Sequence, residues 1–232
     1  YDVVEIGDQC WFAENLRSEN YADGTAIPNV TDAAAWTGLS TGAQCGYNNE
    51  PDSIAKYGRL YNWYAVENSS GLCPAGWHVP TNLEWTQLTD TLGGASVAAT
   101  VLKASPSNDP SWDGTNDSGF TALAGGFRSA DNGNYVLVNE FGVWWTSAFH
   151  SDNSPNGPMA YSTYMFADDA SVDHSNDKVG IGMSVRCLQD TPTAPVVATS
   201  EAINVGVEAG TLQGSVEQGA LPMTATGFKW GT

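Results

Sequence analysis

Residues 73–85 read Cys73-Pro74-Ala75-Gly76-Trp77-His78-Val79-Pro80-Thr81-Asn82-Leu83-Glu84-Trp85, and this stretch organises the reading of the whole chain. It is a strand end running into a capped helix. Thr81 with Glu84 three residues on forms a capping box, in which each side chain satisfies a backbone N–H of the first turn. Trp85, Leu88 and Leu92 then share one helical face, and Gly93-Gly94 stops the helix. Far downstream, Ser184-Val185-Arg186-Cys187 reads as a closing strand. The two segments bracket one compact domain, with a cysteine at each end.

Working outward, Val3-Val4-Glu5-Ile6 alternates as a strand and turns at Gly7-Asp8 into Cys10-Trp11-Phe12. The stretch from Ser18 to Pro51 is loop-rich, with a short helix expected over Asp32–Leu39 and Asp32 as its cap. The aromatic run Tyr57–Val66 fits a strand or a helix, since Tyr61, Tyr64 and Ala65 also match helical spacing. A second helix is expected over Ser96–Ala104, presenting Val97, Val101 and Leu102. Beyond Trp112 the texture changes to short strands and turns: Phe120–Leu123, Phe127-Arg128, a turn at Asp131–Asn134 into Tyr135–Val138, Val143–Ala148, Ala160–Phe166 and Gly182–Leu188.

The domain so defined covers residues 1–189, and residues 190–195 form a Thr/Pro linker. Residues 196–232 alternate as the start of an all-β sandwich of about three strands, where a closed two-sheet core takes about seven. The chain is therefore expected to be a fragment of a longer multidomain protein. It starts at Tyr1 without a signal peptide, which reads as a mature or trimmed product.

Composition narrows the function classes. Hydrophobic content of 41% with nine Trp, nine Tyr and seven Phe marks a folded chain with a sizeable core. Eight Lys and Arg against 26 Asp and Glu give a net charge of −18. No basic stretch exists to neutralise phosphates, which argues against nucleic-acid binding, and an anionic membrane surface would repel the chain. No apolar run is long enough to span a bilayer. The acidity points instead to solubility, a saline habitat or cation binding. The four cysteines, Cys10, Cys45, Cys73 and Cys187, are dispersed without a Cys-x-x-Cys pair, which suits two disulfides in an oxidising compartment better than a zinc site. Three connectivities are open, with Cys73–Cys187 and Cys10–Cys45 the preferred set.

Taken in order, these segments resemble the Fibrobacter succinogenes major paralogous domain, a family of bacterial secreted and surface proteins. The resemblance rests on Ile6–Leu16, Gly42–Asn49, Gly58–Trp63, Cys73–Trp85, Ser118–Leu123, Gly126–Arg128, Trp145–Ser147 and Ser184–Cys187. Cys10 stands where the family pattern has no fixed cysteine. The family looks like a relative of the C-type-lectin-like fold, which formylglycine-generating enzymes and the variable proteins of diversity-generating retroelements share. His78–Trp85 is similar to their Arg-Leu-Pro-Thr-x-x-Glu-Trp helix start, and Val185-Arg186-Cys187 to their Phe-Arg-Cys strand. The resemblance implies an α+β fold: a twisted antiparallel sheet, two flanking helices and long loops on one face. Residues 196–232 resemble fibronectin-type-III or Ig-like repeats.

Catalysis finds little support. His78, His150 and His174 lack metal-ligand spacing, and no nucleophile elbow or phosphate-binding loop occurs. Formylglycine-generating enzymes use a reactive cysteine pair near the end of the fold, where this chain has only Cys187. Arg59, Arg128 and Arg186 sit inside the motifs and read as structural, in ion pairs or hydrogen bonds to loop carbonyls, with anion binding as the alternative. Trp77 and Trp85 read as core. Alternation along Val143–Ser147 buries one of each adjacent pair, which leaves one of Trp144 and Trp145 as a surface platform for a sugar ring. Asp113, Asn116 and Asp117 form one oxygen-rich cluster, and Asp168, Asp169 and Asp173 another, either of which suits Ca2+.

The most function-like stretch is His150–Lys178, expected as a long polar loop rich in Ser, Asn, Asp and Tyr. The candidate ligand-binding residues are Asn132, Asn134, Tyr135, Trp144, Trp145, His150, Asp152, Asn153, Tyr161, Tyr164 and Asp173. The expectation is a non-catalytic binding or adhesion module on a bacterial surface or secreted protein, taking a carbohydrate or protein ligand. The alternative is a building block of an extracellular filament, with neighbouring subunits as partners. A formylglycine-generating type of enzyme comes third.

Overall fold

The computed structural model describes residues 1–151, 153–155 and 157–191, together with the backbone of residues 196–199 and 214–217. The chain divides into two units, Tyr1–Gln189 and Asp190–Thr232. The first unit opens with β1 (Val3–Ile6), β2 (Gln9–Phe12), α1 (Ala33–Thr37), β3 (Gln44–Cys45), α2 (Pro51–Tyr57), β4 (Leu60–Tyr61) and α3 (Trp63–Val66). Next come β5 (Trp77–His78), α4 (Asn82–Thr91) and α5 (Ala95–Leu102). It closes with β6 (Phe127–Arg128), β7 (Tyr135–Val136), β8 (Phe141–Ser151), β9 (Met159–Phe166), β10 (Asp173–Lys178) and β11 (Leu188–Gln189). This is an α+β fold with antiparallel sheets. Its largest sheets are a four-stranded one, order β1-β2-β11-β5, and a three-stranded one, order β10-β9-β8.

The quoted motif forms as its chemistry dictates. The Thr81 hydroxyl accepts from the Glu84 N–H at 3.3 Å, and the Glu84 carboxylate accepts from the Thr81 N–H at 2.7 Å. His78 adds a contact to the same carboxylate at 2.9 Å, so β5 and the first turn of α4 are locked together. Trp85 and Leu88 are buried, while Leu92 caps the helix end half-buried. In the second helix the buried face is Ala98, Ala99 and Leu102, and the expected Val97 is 48% exposed. Small alanines at that face let α5 lie close against its neighbours. The aromatic run Tyr57–Val66 divides between both readings: β4, then α3 capped by Asn62.

Cys73, four residues before β5, is disulfide-bonded to Cys187, the residue before β11, and the two strands pair through Leu188↔His78 and Gln189↔Trp77. The expected Cys10–Cys45 bond does not exist; both cysteines are free. Cys10 sits partly exposed on β2, paired with Glu5, while Cys45 is fully buried on β3 in a separate core cluster with Trp36, Tyr47 and Leu60. Burial pushes the Cys45 thiol up, against the opposing pull of Arg128.

Strand β8 corrects the reading of the tandem tryptophans. Both are 0% exposed. Trp144 packs into one core with Trp85, Trp11 and Phe120, and Trp145 into the other with Tyr61, Val185 and Cys187. Alternation spares one of an adjacent pair only when one face of the sheet meets water, and around Trp144 and Trp145 β8 is covered on both faces. Trp77 is half-buried and packs on Phe12 with ring centroids 4.4 Å apart.

Two strand expectations also change. Phe120–Leu123 makes a single bridge, Ala122 to Lys103, rather than a strand. The closing segment pairs one residue at a time, Gly182 with Arg128, Met183 with Tyr61 and Ser184 with Trp144, before β11 begins. It threads between sheets instead of extending one. Within the second unit, β12 (Val196–Thr199) and β13 (Gly214–Glu217) pair antiparallel. The other strands expected for the sandwich lie outside the described residues.

Candidate functional site

His150–Lys178 is not one long polar loop. Most of it is β9 and β10, which complete the meander begun by β8. In an antiparallel pair, residues directly opposite share a face. Phe141↔Phe166 and Val143↔Tyr164 therefore put three aromatic rings on one face of the β8 end, and Phe127 of β6 approaches from the side. The Phe141 and Phe166 rings lie 4.4 Å apart, Phe141 and Tyr164 5.5 Å, and Phe127 meets Phe141 edge-on at 6.1 Å. Together with Ile181, Met183, Ser175 and Asp177 these rings line an open cleft of about 250 Å³. Phe166 is 42% exposed at its rim.

The cleft has a polar side. Ser175 and Asp177 of β10 face it from the same side of the sheet, and the Ser162 hydroxyl donates to Asp177 Oδ2 at 2.6 Å. That hydrogen bond fixes one carboxylate oxygen and leaves acceptor capacity on the group. Burial, and then the nearby charges of Asp173, Asp177 and Asp169, push the Tyr164 phenol up. Tyr164 thus stays a neutral hydroxyl at neutral pH. The arrangement offers apolar ring faces beside hydroxyl and carboxylate groups, which suits a ligand with an apolar face and hydroxyl edges.

The rim is held by a buried cation. Lys103, 2% exposed, donates from Nζ to the carbonyls of Phe166 at 3.1 Å and Asp169 at 2.9 Å. It pairs with Asp113 Oδ1 at 2.7 Å and lies 5.2 Å from the Trp112 ring centroid. Asp113 Oδ2 also accepts from the Asp168 N–H at 2.5 Å. The two acidic clusters thus meet around an ammonium. Asn116 accepts from the Thr121 N–H at 2.9 Å, and Asp117 from the Thr115 hydroxyl at 2.8 Å. Among the described residues, no group of three or more His, Cys, Asp or Glu gathers as a metal site.

The three motif arginines are structural donors. Arg128 bonds the carbonyls of Gly133, Val30 and Thr31 between the rings of Trp36 and Tyr135. Gly133, at φ +70°, admits no side chain here, because a Cβ would stand 2.5 Å from the Ala33 carbonyl. Arg59 bonds Gln44, Glu19 and the Arg17 carbonyl. Arg186 bonds Asn15 Oδ1 and the carbonyls of Phe12, Phe120 and Thr121. Burial pulls Arg186 down to about 9, which leaves it protonated at neutral pH.

Of the candidate ligand residues, Tyr164 lines the cleft, and Asp173 stands opposite it on β10. His150 and Tyr161 contact each other, Nδ1 to hydroxyl at 2.9 Å, near the far end of the sheet. Asn132 and Asn134 are exposed in the β6–β7 turn, and Tyr135 leans on Arg128 and donates to Asn49 at 2.8 Å. Asn153 is exposed, and Asp152 lies outside the described residues. The buried Trp144 and Trp145 donate inward, to Asn15 and to the Tyr61 carbonyl, and cannot serve as a surface platform. The cleft residues not anticipated are Phe127, Phe141, Phe166 and Asp177. A signal for Phe141 and Phe166 was present in Phe141-x-Val143 and Tyr164-x-Phe166, two period-two patterns whose shared face shows only once the register is known.

The fold and site together define a disulfide-closed α+β domain, with buried cations inside and an aromatic cleft outside. No described helix is long and apolar enough to cross a membrane. Residues 4–189 match the Fibrobacter succinogenes major domain, and the chain belongs to that family. No curated protein and no solved structure shows significant similarity to it.

Proposed function

We propose that this domain is a non-catalytic binding module displayed outside the cell, and that it takes a carbohydrate in the cleft beside β8 and β9. The observation that carries the reading is the Phe141–Tyr164–Phe166 cluster with Asp177 at its edge. Such rings take the C–H face of a sugar, and the carboxylate and phenol take its hydroxyls. The disulfide supports an oxidising compartment. The C-type-lectin-like reading of the fold draws support from that disulfide, which joins the segment ahead of the capped helix to the closing segment. Lys103 supplies the positive charge between the acidic clusters, so binding is expected to be independent of calcium.

The filament reading draws less support. The open edge of the three-stranded sheet is β10, Asp173-His174-Ser175-Asn176-Asp177-Lys178, and charged side chains on an edge strand discourage pairing with another chain. A glycan array run with and without EDTA tests the proposal. Binding to a defined class of glycan, unchanged by EDTA, is the expected result. No binding across a broad panel counts against it, and binding abolished by EDTA contradicts the role given to Lys103.

A further inference from the structure

The sheet face that carries the aromatic cleft carries a second opening at its other end. Phe141 and Phe149 share that face of β8, opposite Phe166 and Ala160 of β9. The six-residue separation along β9 puts the two openings roughly 20 Å apart. The second is a pocket of about 350 Å³ lined by Trp63, Tyr64, Glu67, Phe149, Pro158 and Val179. The Trp63 and Phe149 rings stand 5.3 Å apart at 40°, forming a corner rather than a flat stack. That corner is built rather than incidental. Asn62 caps α3 by accepting from the Ala65 N–H at 3.1 Å, and Trp63 Nε1 donates to the Thr146 carbonyl at 3.1 Å. Trp63 is 4% exposed as the floor, and Phe149 is 42% exposed as a wall.

We propose that this pocket binds a quaternary ammonium group of the choline type, independently of the carbohydrate cleft. Aromatic faces attract a cation through their quadrupole, and a cage of several rings is a known solution for trimethylammonium. Pro158 and Val179 offer apolar contact to the methyl groups, and Glu67 brings a negative charge. A primary ammonium has three N–H donors to satisfy, and a lining of three rings and one carboxylate serves it poorly. A trimethylammonium has no donor to satisfy. The net charge of −18 draws cations toward the surface as a whole.

The test titrates choline into the whole chain and follows Trp fluorescence together with a calorimetric isotherm. Three controls run at matched ionic strength: sodium chloride, butylammonium, and 3,3-dimethylbutanol, the uncharged analogue of choline. Saturable choline binding is expected, at least about tenfold tighter than either amine or alcohol. Phe149→Ala and Glu67→Gln should each weaken it while far-ultraviolet circular dichroism still reports the folded chain, since both side chains reach the surface. Equal binding of 3,3-dimethylbutanol would show an apolar pocket, and equal binding of butylammonium a general cation site; either overturns the proposal. So does the absence of saturation, or full retention of binding in Phe149→Ala. None of these outcomes bears on the glycan array, which reads the other end of the sheet.

Discussion

Arg186 shows how single residues hold this domain. Its guanidinium is fully buried, reaches four backbone or side-chain oxygens and lies 4.2 Å from the Phe120 ring centroid. Asn15 Oδ1 accepts from Arg186 and from Trp144 Nε1 together, so one amide couples the closing segment to β8. Replacing Arg186 with Met takes the guanidinium donors from the Phe12, Phe120 and Thr121 carbonyls and leaves Asn15 Oδ1 with Trp144 alone, and about 3 kcal/mol or more of stability should be lost in urea denaturation. Loss below about 1 kcal/mol would mean the network relaxes around the gap. The structural role of Arg59, Arg128 and Arg186 was legible in the sequence, because few cations were available and these three sat inside the motifs. The fate of Trp144 and Trp145 was not. Alternation along one strand cannot reveal that a second core covers the other face.

At the scale of elements, α4 was legible to its cap. The Thr81–Glu84 exchange depends only on residues three apart, so sequence and structure agree. Thr81→Ala should cost about 1 kcal/mol by chemical denaturation. Burial alone would raise the Glu84 carboxyl, but hydrogen bonds from Thr81 and His78 outweigh it and hold it below the ordinary value of 4.5. The unfolded chain therefore takes up the proton first on acidification. Stability from this cap is complete above about pH 4.5 and falls as pH drops toward the lower folded value. A pH series of wild type and Glu84→Gln checks this: the stability gap between them should close in acid, and a constant gap would refute it. The pairing of β8 with β9 lies at the opposite extreme. Phe141 and Phe166 meet through a register that a bulged connection sets, and no local pattern reports it. Hence the sequence pointed to the polar residues and tyrosines of this region, of which Tyr164 lines the cleft, while the phenylalanines around it went unmarked. Cys10 and Cys45 mislead for the same reason: an even cysteine count says nothing of which sheets carry them.

For the whole molecule, the Cys73–Cys187 bond closes a separation of 114 residues. In the chain-entropy model such a loop contributes about 4–5 kcal/mol, so reduction should lower the denaturation midpoint sharply. Reduced protein as stable as oxidised would place the stability in the hydrophobic cores alone. Among the described residues, Arg59, Lys103, Arg128 and Arg186 are buried, so half of the chain's eight cations are withdrawn from the surface that carries its acidic residues. Charge of one sign at the surface disfavours assembly edge to edge. The claim that matters most is that the cleft on the β8–β9 face binds carbohydrate. Calorimetric titration of the glycan identified by array, into wild type and Phe166→Ala, tests it most directly. Phe166 stands at the rim, so its removal should weaken binding at least about tenfold while the fold stays intact. Equal affinity of the two proteins for that glycan would contradict the account.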